Sequence, residues 1–239
     1  MHSYSLYICD KVILVKSECG RFIKFCRGYI IKEPAPEPDY VISISIEDIE
    51  VQKELSGRCS MDLLEGFVLL RKLEALLLKN EGTLFMHGSV VAYMDSAYMF
   101  TAESGVGKTT HSLLWKENLP GAYILNGDKP FISTNNDIIA WGSPWCGAEG
   151  LNTNRGVKLK AICLMKRAED NSISEISFEE ALPMLGRQSG NPDPSQYIYN
   201  LHVIEALYKL RDQVRFFEFR FNNFKKDAFL TSYQALIKL

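Results

Sequence analysis

The chain has 239 residues, 46% of them hydrophobic and 23% charged, with a formal net charge of -2. This describes one large globular domain, or a domain with a small appendage, and the balance of charge gives no electrostatic support for nucleic-acid binding. No apolar run approaches the roughly 20 residues that span a bilayer, so no membrane partner is expected. The first residues, Met1-His2-Ser3-Tyr4-Ser5, lack a basic region followed by an apolar core, and the expected location is the cytoplasm. Six cysteines stand at 9, 19, 26, 59, 146 and 163 with no C-x-x-C pair, which argues against a zinc knuckle or a disulfide framework and for core-filling thiols.

Residues 1–59 form a β-rich N-terminal extension. Ser5–Val15 and Arg21–Ile31 carry β-branched and aromatic residues in short runs around a Gly-containing turn and are expected as strands. Lys32–Asp39 is a Pro-spaced linker, and Val41–Ile46 alternates apolar residues with Ser as a half-buried strand. From residue 60 to 239 the chain reads as a nucleotide-binding domain. Ser60 caps a helix reaching Lys79, with Leu63, Phe67, Leu70, Leu73 and Leu77 at three-to-four spacing along its core face. Leu84–Tyr93 and Ala97–Thr101 are strands joined by so short a turn that they must be antiparallel, which makes the sheet mixed. Further on come a helix opening at residue 111, a strand at Ala122–Leu125, a hairpin of Phe131–Thr134 with Asp137–Trp141, and a strand at Val157–Met165. The rest is mainly helical, at Ser177–Arg187, Gln196–Arg211 and Lys225–Leu239, interrupted by a strand at Gln213–Phe221.

The chemistry concentrates in Ala102-Glu103-Ser104-Gly105-Val106-Gly107-Lys108-Thr109-Thr110, lying between an apolar strand and a helix start. Strand, Gly-rich turn, Lys-Thr and helix are what a nucleoside-triphosphate cradle requires, with backbone amides around the phosphates and the helix dipole behind them. Ser104 to Thr110 form the expected binding segment for ATP or GTP, Lys108 neutralising the outer phosphates and Thr109 ligating magnesium. Ala102 stands where the motif usually begins with Gly. Asp128, ending an apolar strand about twenty residues after Lys108, can hold magnesium or take a proton from an attacking hydroxyl; otherwise it is a turn residue. His87 stands before Gly88 on a strand near the loop and is either a core histidine or part of the site. The loop Gly142–Arg155 contributes Glu149, a further metal candidate, and Arg155, a candidate to stabilise charge on a transferring phosphoryl group. Cys146, with no base to activate it, is not expected as a nucleophile.

Met86-His87-Gly88-Ser89, Glu103 to Thr109 and Leu125-Asn126-Gly127-Asp128 together resemble the C-terminal catalytic domain of HPr kinase/phosphorylase. That family shares its nucleotide core with the phosphoenolpyruvate carboxykinases. The resemblance runs over about Leu84 to Lys166 and implies a mixed-sheet α/β core with a helical C-terminus. It also implies ATP and magnesium as cofactors, a serine hydroxyl of a peptide or protein as acceptor, and a possible homo-oligomer. Lys108 and Thr109 would bind phosphate and magnesium, Asp128 would match the second of two adjacent acids, and His87 would assist it. The chain departs from the family in Gly127, where an aspartate is usual, and in the segment Pro144–Gly150. It looks more like the compact relatives, some of which tailor precursor peptides. A kinase of a small metabolite alcohol and a non-catalytic nucleotide-binding module are the rival readings.

Overall fold

The computed structural model describes residues 1–32, 34–190, 197–223 and 225–238, the side chains of 197–199 excepted; Gln196, Leu239 and Glu33 of the elements expected above lie outside it. The chain divides into two compact units, Met1–Leu77 and Leu78–Leu239.

In the first unit, β1 (His2–Ile8) and β2 (Lys11–Ser17) pair antiparallel, where one strand over Ser5–Val15 was expected. Cys9 and Asp10 make the turn with φ of 53° and 60°, the two left-handed residues of a tight hairpin without any glycine to announce it. β3 (Tyr40–Ile44) adds to β2 in parallel. Arg21–Ile31 is not a strand: Phe22–Cys26 form a short 3-10 helix, followed by a single bridge from Ile30 to Leu6. A helix without a counterpart in the sequence reading, α1 (Ile46–Ser56), starts immediately after β3, its N-terminus closed by a capping box between Ser45 and Asp48. α2 (Met61–Glu81) begins with the Leu63 amide donating to Ser60 Oγ at 3.4 Å, as the cap reading requires; Leu63 itself is exposed.

Glu65 of α2 is fully buried and organises this unit. Its carboxylate accepts hydrogen bonds from the amides of Gly20 (2.9 Å), Arg21 (2.6 Å) and Phe22 (2.8 Å) and from the Ser17 hydroxyl. A buried carboxylate is tolerable when donors surround it, and here it satisfies the bare amides at the start of the 3-10 turn.

The second unit holds a nine-stranded mixed sheet. β4 (Thr83–Phe85) and β5 (Ser89–Tyr93) are two strands, not one, because the chain leaves the sheet at Met86-His87-Gly88; β4 pairs with β8 (Phe131–Ser133) and β5 with its hairpin partner β6 (Ser96–Thr101). The β5–β6 turn at Met94 and Asp95 again uses two left-handed residues. β7 (Tyr123–Asn126) flanks β5 on its other side, antiparallel. β8 and β9 (Ile139–Trp141) form the expected hairpin. β10 (Gly156–Arg167) is long enough to pair with β9 at its start, with β6 in parallel along its middle, and with β12 (Arg215–Phe221) in parallel at its end. A strand absent from the sequence reading, β11 (Ser172–Ile176), pairs with β12.

Alternation along the central strands feeds two separate cores. Val91, Tyr98, Phe100, Ala161, Cys163, Met165, Phe217, Phe219 and Phe221 pack against α3 (Lys108–Asn118) and α6 (Lys226–Leu236). Their neighbours Val90, Ala92, Ala97, Met99, Ile162, Leu164 and Phe216 pack against α4 (Phe178–Gln188) and α5 (Tyr197–Lys209). With helices on both faces, the strands are apolar on both, which is why they read as continuous hydrophobic runs. The fold is therefore a mixed-sheet α/β one, and no described helix is long and apolar enough to cross a membrane. The cysteines are free, four of them buried.

His111, one turn into α3, lies wholly inside, its ring 4.7 Å from those of Phe100 and Phe219. Its Nε2 stands 2.9 Å from Ser232 Oγ of α6, which also accepts from Trp115 Nε1 and donates to the Phe229 carbonyl. Burial pushes this imidazole down to about 3 from 6.5. Because the folded value is depressed, the unfolded chain takes up a proton that the folded one refuses. Stability is full above pH 6.5 and falls as the pH drops toward 3. Urea unfolding at pH 7 and pH 5 is expected to show a loss about 2 kcal/mol larger for the native chain than for His111→Phe.

Candidate active site

The order β7-β5-β6-β10-β12 decides where the functional groups meet. β5 runs antiparallel to both β6 and β7, so β6 and β7 point the same way, and β10 and β12 point with them. The carboxyl ends of β6 and β7 and the amino end of β5 thus share one rim, the position at which open α/β sheets bind ligands. The Gly-rich loop leaves the end of β6, Asp128 lies just beyond β7, and His87 and Gly88 lie just before β5.

In the loop, Gly105 and Gly107 have φ of +78° and +111°, a conformation that other residues rarely adopt. Ala102 is fully buried, its methyl part of the core beneath α3, so the residue that departs from the motif is a packing residue here. The buried Lys108 donates through Nζ to the carbonyls of Ala102 (3.0 Å) and Glu103 (3.2 Å). Burial lowers its pKa, against the upward pull of Asp128 and Glu103. α3 opens at Gly107 without a side-chain cap, leaving its first amides to an anion. Ser104 and Thr110 are exposed, while Val106 packs against the apolar cluster below. The Thr109 hydroxyl donates to the Gly127 carbonyl at 3.0 Å, so it stands where the chain turns toward Asp128.

His87 and Asp128 meet directly, Nε2 to Oδ1 at 3.1 Å, both side chains about one-third exposed. Two backbone bonds and one from a side chain fix the pair: the Gly88 amide donates to the Asp128 carbonyl (2.8 Å), the His87 amide to the Gln188 carbonyl (2.6 Å), and the Thr101 hydroxyl to the His87 carbonyl (2.8 Å). Burial raises the Asp128 pKa, but the His87 hydrogen bond and the charges of His87, Lys129 and Lys108 outweigh it and hold the carboxyl below its ordinary value. His87 therefore belongs to the rim cluster, not to the core.

The loop between β9 and β10 folds back over β7. Asn126 and Asn152 form a bridge, the Thr153 amide donates to the Leu125 carbonyl (3.0 Å), and the Gly127 amide to the Leu151 carbonyl (2.9 Å). The buried Asn126 ties the same loop down, donating to the Ser143 carbonyl and hydroxyl (3.1 and 3.0 Å) while accepting from the amides of Asp128 and Lys129. A Cβ on Gly127 would sit 2.8 Å from the Cys146 carbonyl oxygen. No side chain fits at 127 unless the loop backbone shifts. Glu149 stands near: a Cβ on Gly147 would meet Glu149 Oε2 at 3.2 Å and Asp128 Cβ at 3.4 Å. The Cys146 thiol is held protonated by burial and by Asp128 and Glu149, outweighing the hydrogen bond from Asn152 Nδ2, in keeping with its exclusion as a nucleophile.

Arg155 is not brought to this rim. It precedes β10 at the opposite end of the sheet, where its guanidinium lies 3.8 Å from Asp95 in the β5–β6 turn. The span of β6 separates it from the Gly-rich loop, roughly 20 Å at strand rise. An arginine that does meet the Gly-rich loop is Arg187, in the last turn of α4, 3.4 Å from Glu103. It was invisible in the sequence as one charge among many on a helix. Lys129 was equally overlooked, although it follows Asp128 directly; its Nζ lies 5.6 Å from the centre of the Phe85 ring. Among the described residues no cluster of three or more His, Cys, Asp or Glu side chains could hold a metal by itself.

No family model matches the sequence. No curated protein matches it either. Among solved structures, the chain is similar to the HPr(Ser) kinase/phosphatase from Coxiella burnetii at 10% identity, over 64% of this chain and 88% of that one, with a TM-score of 0.36. The likeness is a distant one.

Replacing Gly127 by Asp tests the packing at β7 directly. The new side chain meets backbone oxygen and must lift the loop, so a loss of about 1–3 kcal/mol in urea unfolding is expected, with faster proteolysis within 143–151.

Proposed function

We propose that the chain is an ATP- and magnesium-dependent kinase of the phosphoenolpyruvate-carboxykinase-like type that passes the γ-phosphoryl group to a serine hydroxyl of a peptide or protein. What supports this reading most is the His87–Asp128 pair, 3.1 Å apart on the sheet rim that carries the phosphate loop. A phosphate cradle alone suits any nucleotide-binding module. A carboxylate kept ionised beside it is what the activation of a hydroxyl requires.

Each residue then has a distinct task. Lys108 exchanges its two loop carbonyls for the outer phosphates, and the uncapped amides of α3 hold their oxygens. Asp128 accepts a hydrogen bond from the acceptor hydroxyl and then its proton, with His87 keeping the free carboxylate oriented. Arg187 leaves the exposed carboxylate of Glu103 to meet charge on the transferring group, the task expected of Arg155. Magnesium prefers hard oxygen ligands and usually relies on one or two carboxylates with substrate phosphates; the Thr109 hydroxyl and the Asp128 carboxylate suit it, with Glu149 at the margin. When bound, the ion neutralises phosphate charge. Catalysis is then mainly positioning and charge neutralisation.

The test is transfer of radiolabelled γ-phosphate from ATP with magnesium to serine-bearing peptides and to free serine. Label on a peptide serine is expected, falling by about a hundredfold or more in Asp128→Asn while ATP binding persists, whereas Lys108→Ala loses both. Arg187→Ala is expected to lower turnover by on the order of a hundredfold, and Arg155→Ala to leave it near native. Label on free serine alone would identify a metabolite kinase. Equal function in Asp128→Asn and the native chain would identify a binding module.

A further inference from the structure

Asp128 stands outside the sheet that delivers it. β7 pairs with β5 as far as Asn126, opposite Val90, and residues 127–129 then leave the ladder. On such a segment a side chain points where its two flanking peptide groups send it. On one flank, the Asp128 carbonyl accepts from the Gly88 amide at 2.8 Å. On the other, the Asp128 amide donates to Asn126 Oδ1 at 2.9 Å. The Lys129 amide donates to the same oxygen at 2.7 Å and is shared with the Trp145 carbonyl at 3.0 Å. An Asn oxygen that accepts from the amide two residues on stands in for backbone in building a turn.

Asn126 is wholly buried, and its carboxamide has one way to lie. Nδ2 donates to the Ser143 carbonyl at 3.1 Å and to the Ser143 hydroxyl at 3.0 Å. Turning the amide over would set its N–H groups against two amide donors and its oxygen against the Ser143 carbonyl. Ser143, also wholly buried, donates its own proton to the Lys129 carbonyl at 2.6 Å. The bonds thus close a ring, from Asn126 to Ser143, from Ser143 to Lys129, and from Lys129 back to Asn126. Asp128 lies within the span that this ring clamps, while its carboxylate reaches out to His87. In a buried ring each bond matters more than alone, because breaking one orphans polar groups that water cannot reach.

Given the kinase reading above, on which this rests, we infer that Asn126, braced by Ser143, is the positioning residue that aims the Asp128 carboxylate at the acceptor hydroxyl. Being buried, it acts through Asp128 and not by its own contact with a substrate. The Gly-rich loop is held by other bonds, from Lys108 to the carbonyls of Ala102 and Glu103. Gly127, which receives the Thr109 hydroxyl, is held separately by its amide on the Leu151 carbonyl. Loss of Asn126 therefore disturbs the proton acceptor and leaves the nucleotide cradle in place. A reacting group misplaced by about 1 Å costs on the order of a hundredfold in rate.

The test combines radiolabel transfer from ATP to an arrayed set of serine-bearing peptides with calorimetric titration of the full chain by magnesium-ATP. On the peptide that the native chain labels, Asn126→Ala is expected to lower kcat by about a hundredfold and Ser143→Ala by about tenfold. ATP affinity is expected to stay within about twofold in both, which also reports that each variant is folded. In the Asp128→Asn background neither change is expected to cost anything further, because nothing is left to position. Ser143→Ala, which leaves the Asn126 oxygen on both amides, carries the same comparison where Asn126→Ala does not fold. The inference alone is overturned if the variants keep native kcat, if ATP affinity falls as far as kcat, or if the loss recurs in the Asp128→Asn background. A native chain that binds ATP and labels no peptide refutes the kinase reading, and this inference with it.

Discussion

The site exists because one strand runs the wrong way. β5 lies antiparallel between β6 and β7, and that single reversal lets the loop before it, the loop after β6 and the turn after β7 open on one rim. In an all-parallel sheet, the residues preceding a strand and those following its neighbours lie at opposite ends, and His87 could not reach Asp128. The tight Met94-Asp95 turn, with both residues left-handed, is what permits the reversal in so short a connection. Backbone ladders then hold the arrangement, so the pair is positioned by two main-chain hydrogen bonds and the Thr101 hydroxyl, not by side-chain packing alone.

The second constraint is closeness. The loop from Gly142 to Arg155 packs so tightly on the end of β7 that position 127 has no room for a side chain. The rim therefore carries one fixed carboxylate, Asp128, and one exposed neighbour, Glu149. The same packing gives β7 backbone partners along what would be an open sheet edge, so one segment serves the site and blunts a surface prone to unwanted strand pairing.

Much of the second unit could be read from sequence because its signals are local. The strand–loop–helix unit at residues 97–118, the Asn-Asn hairpin and the mixed character of the sheet all follow from residues adjacent in the chain. Asp128 was legible as a polar stop on an apolar strand. What escaped depends on contacts distant in sequence or on turns without their usual residues. Cys9 and Asp10 turn without glycine, so two strands read as one. Residues 22–26 curl because Glu65, more than forty positions away, satisfies their first amides, not because of any propensity of their own. The Ser45 capping box that starts α1 was there to be read, but the strand pattern running into it drew the eye past. Arg155 and Arg187 were indistinguishable in sequence as charges; only the direction of β10 sends one to the far end of the sheet, and only the end of α4 brings the other to the loop.

The buried carboxylate of Glu65 also sets an order of events in biosynthesis. Ser17, Gly20, Arg21 and Phe22 leave the ribosome more than forty residues ahead of their shared acceptor. Until α2 has been made, the turn after β2 carries bare amides with no partner but water, and the β1–β2 hairpin is by itself only marginally stable. The N-terminal unit thus matures late although it is synthesised first, and its completion waits for a residue that sits just ahead of the second unit in the chain.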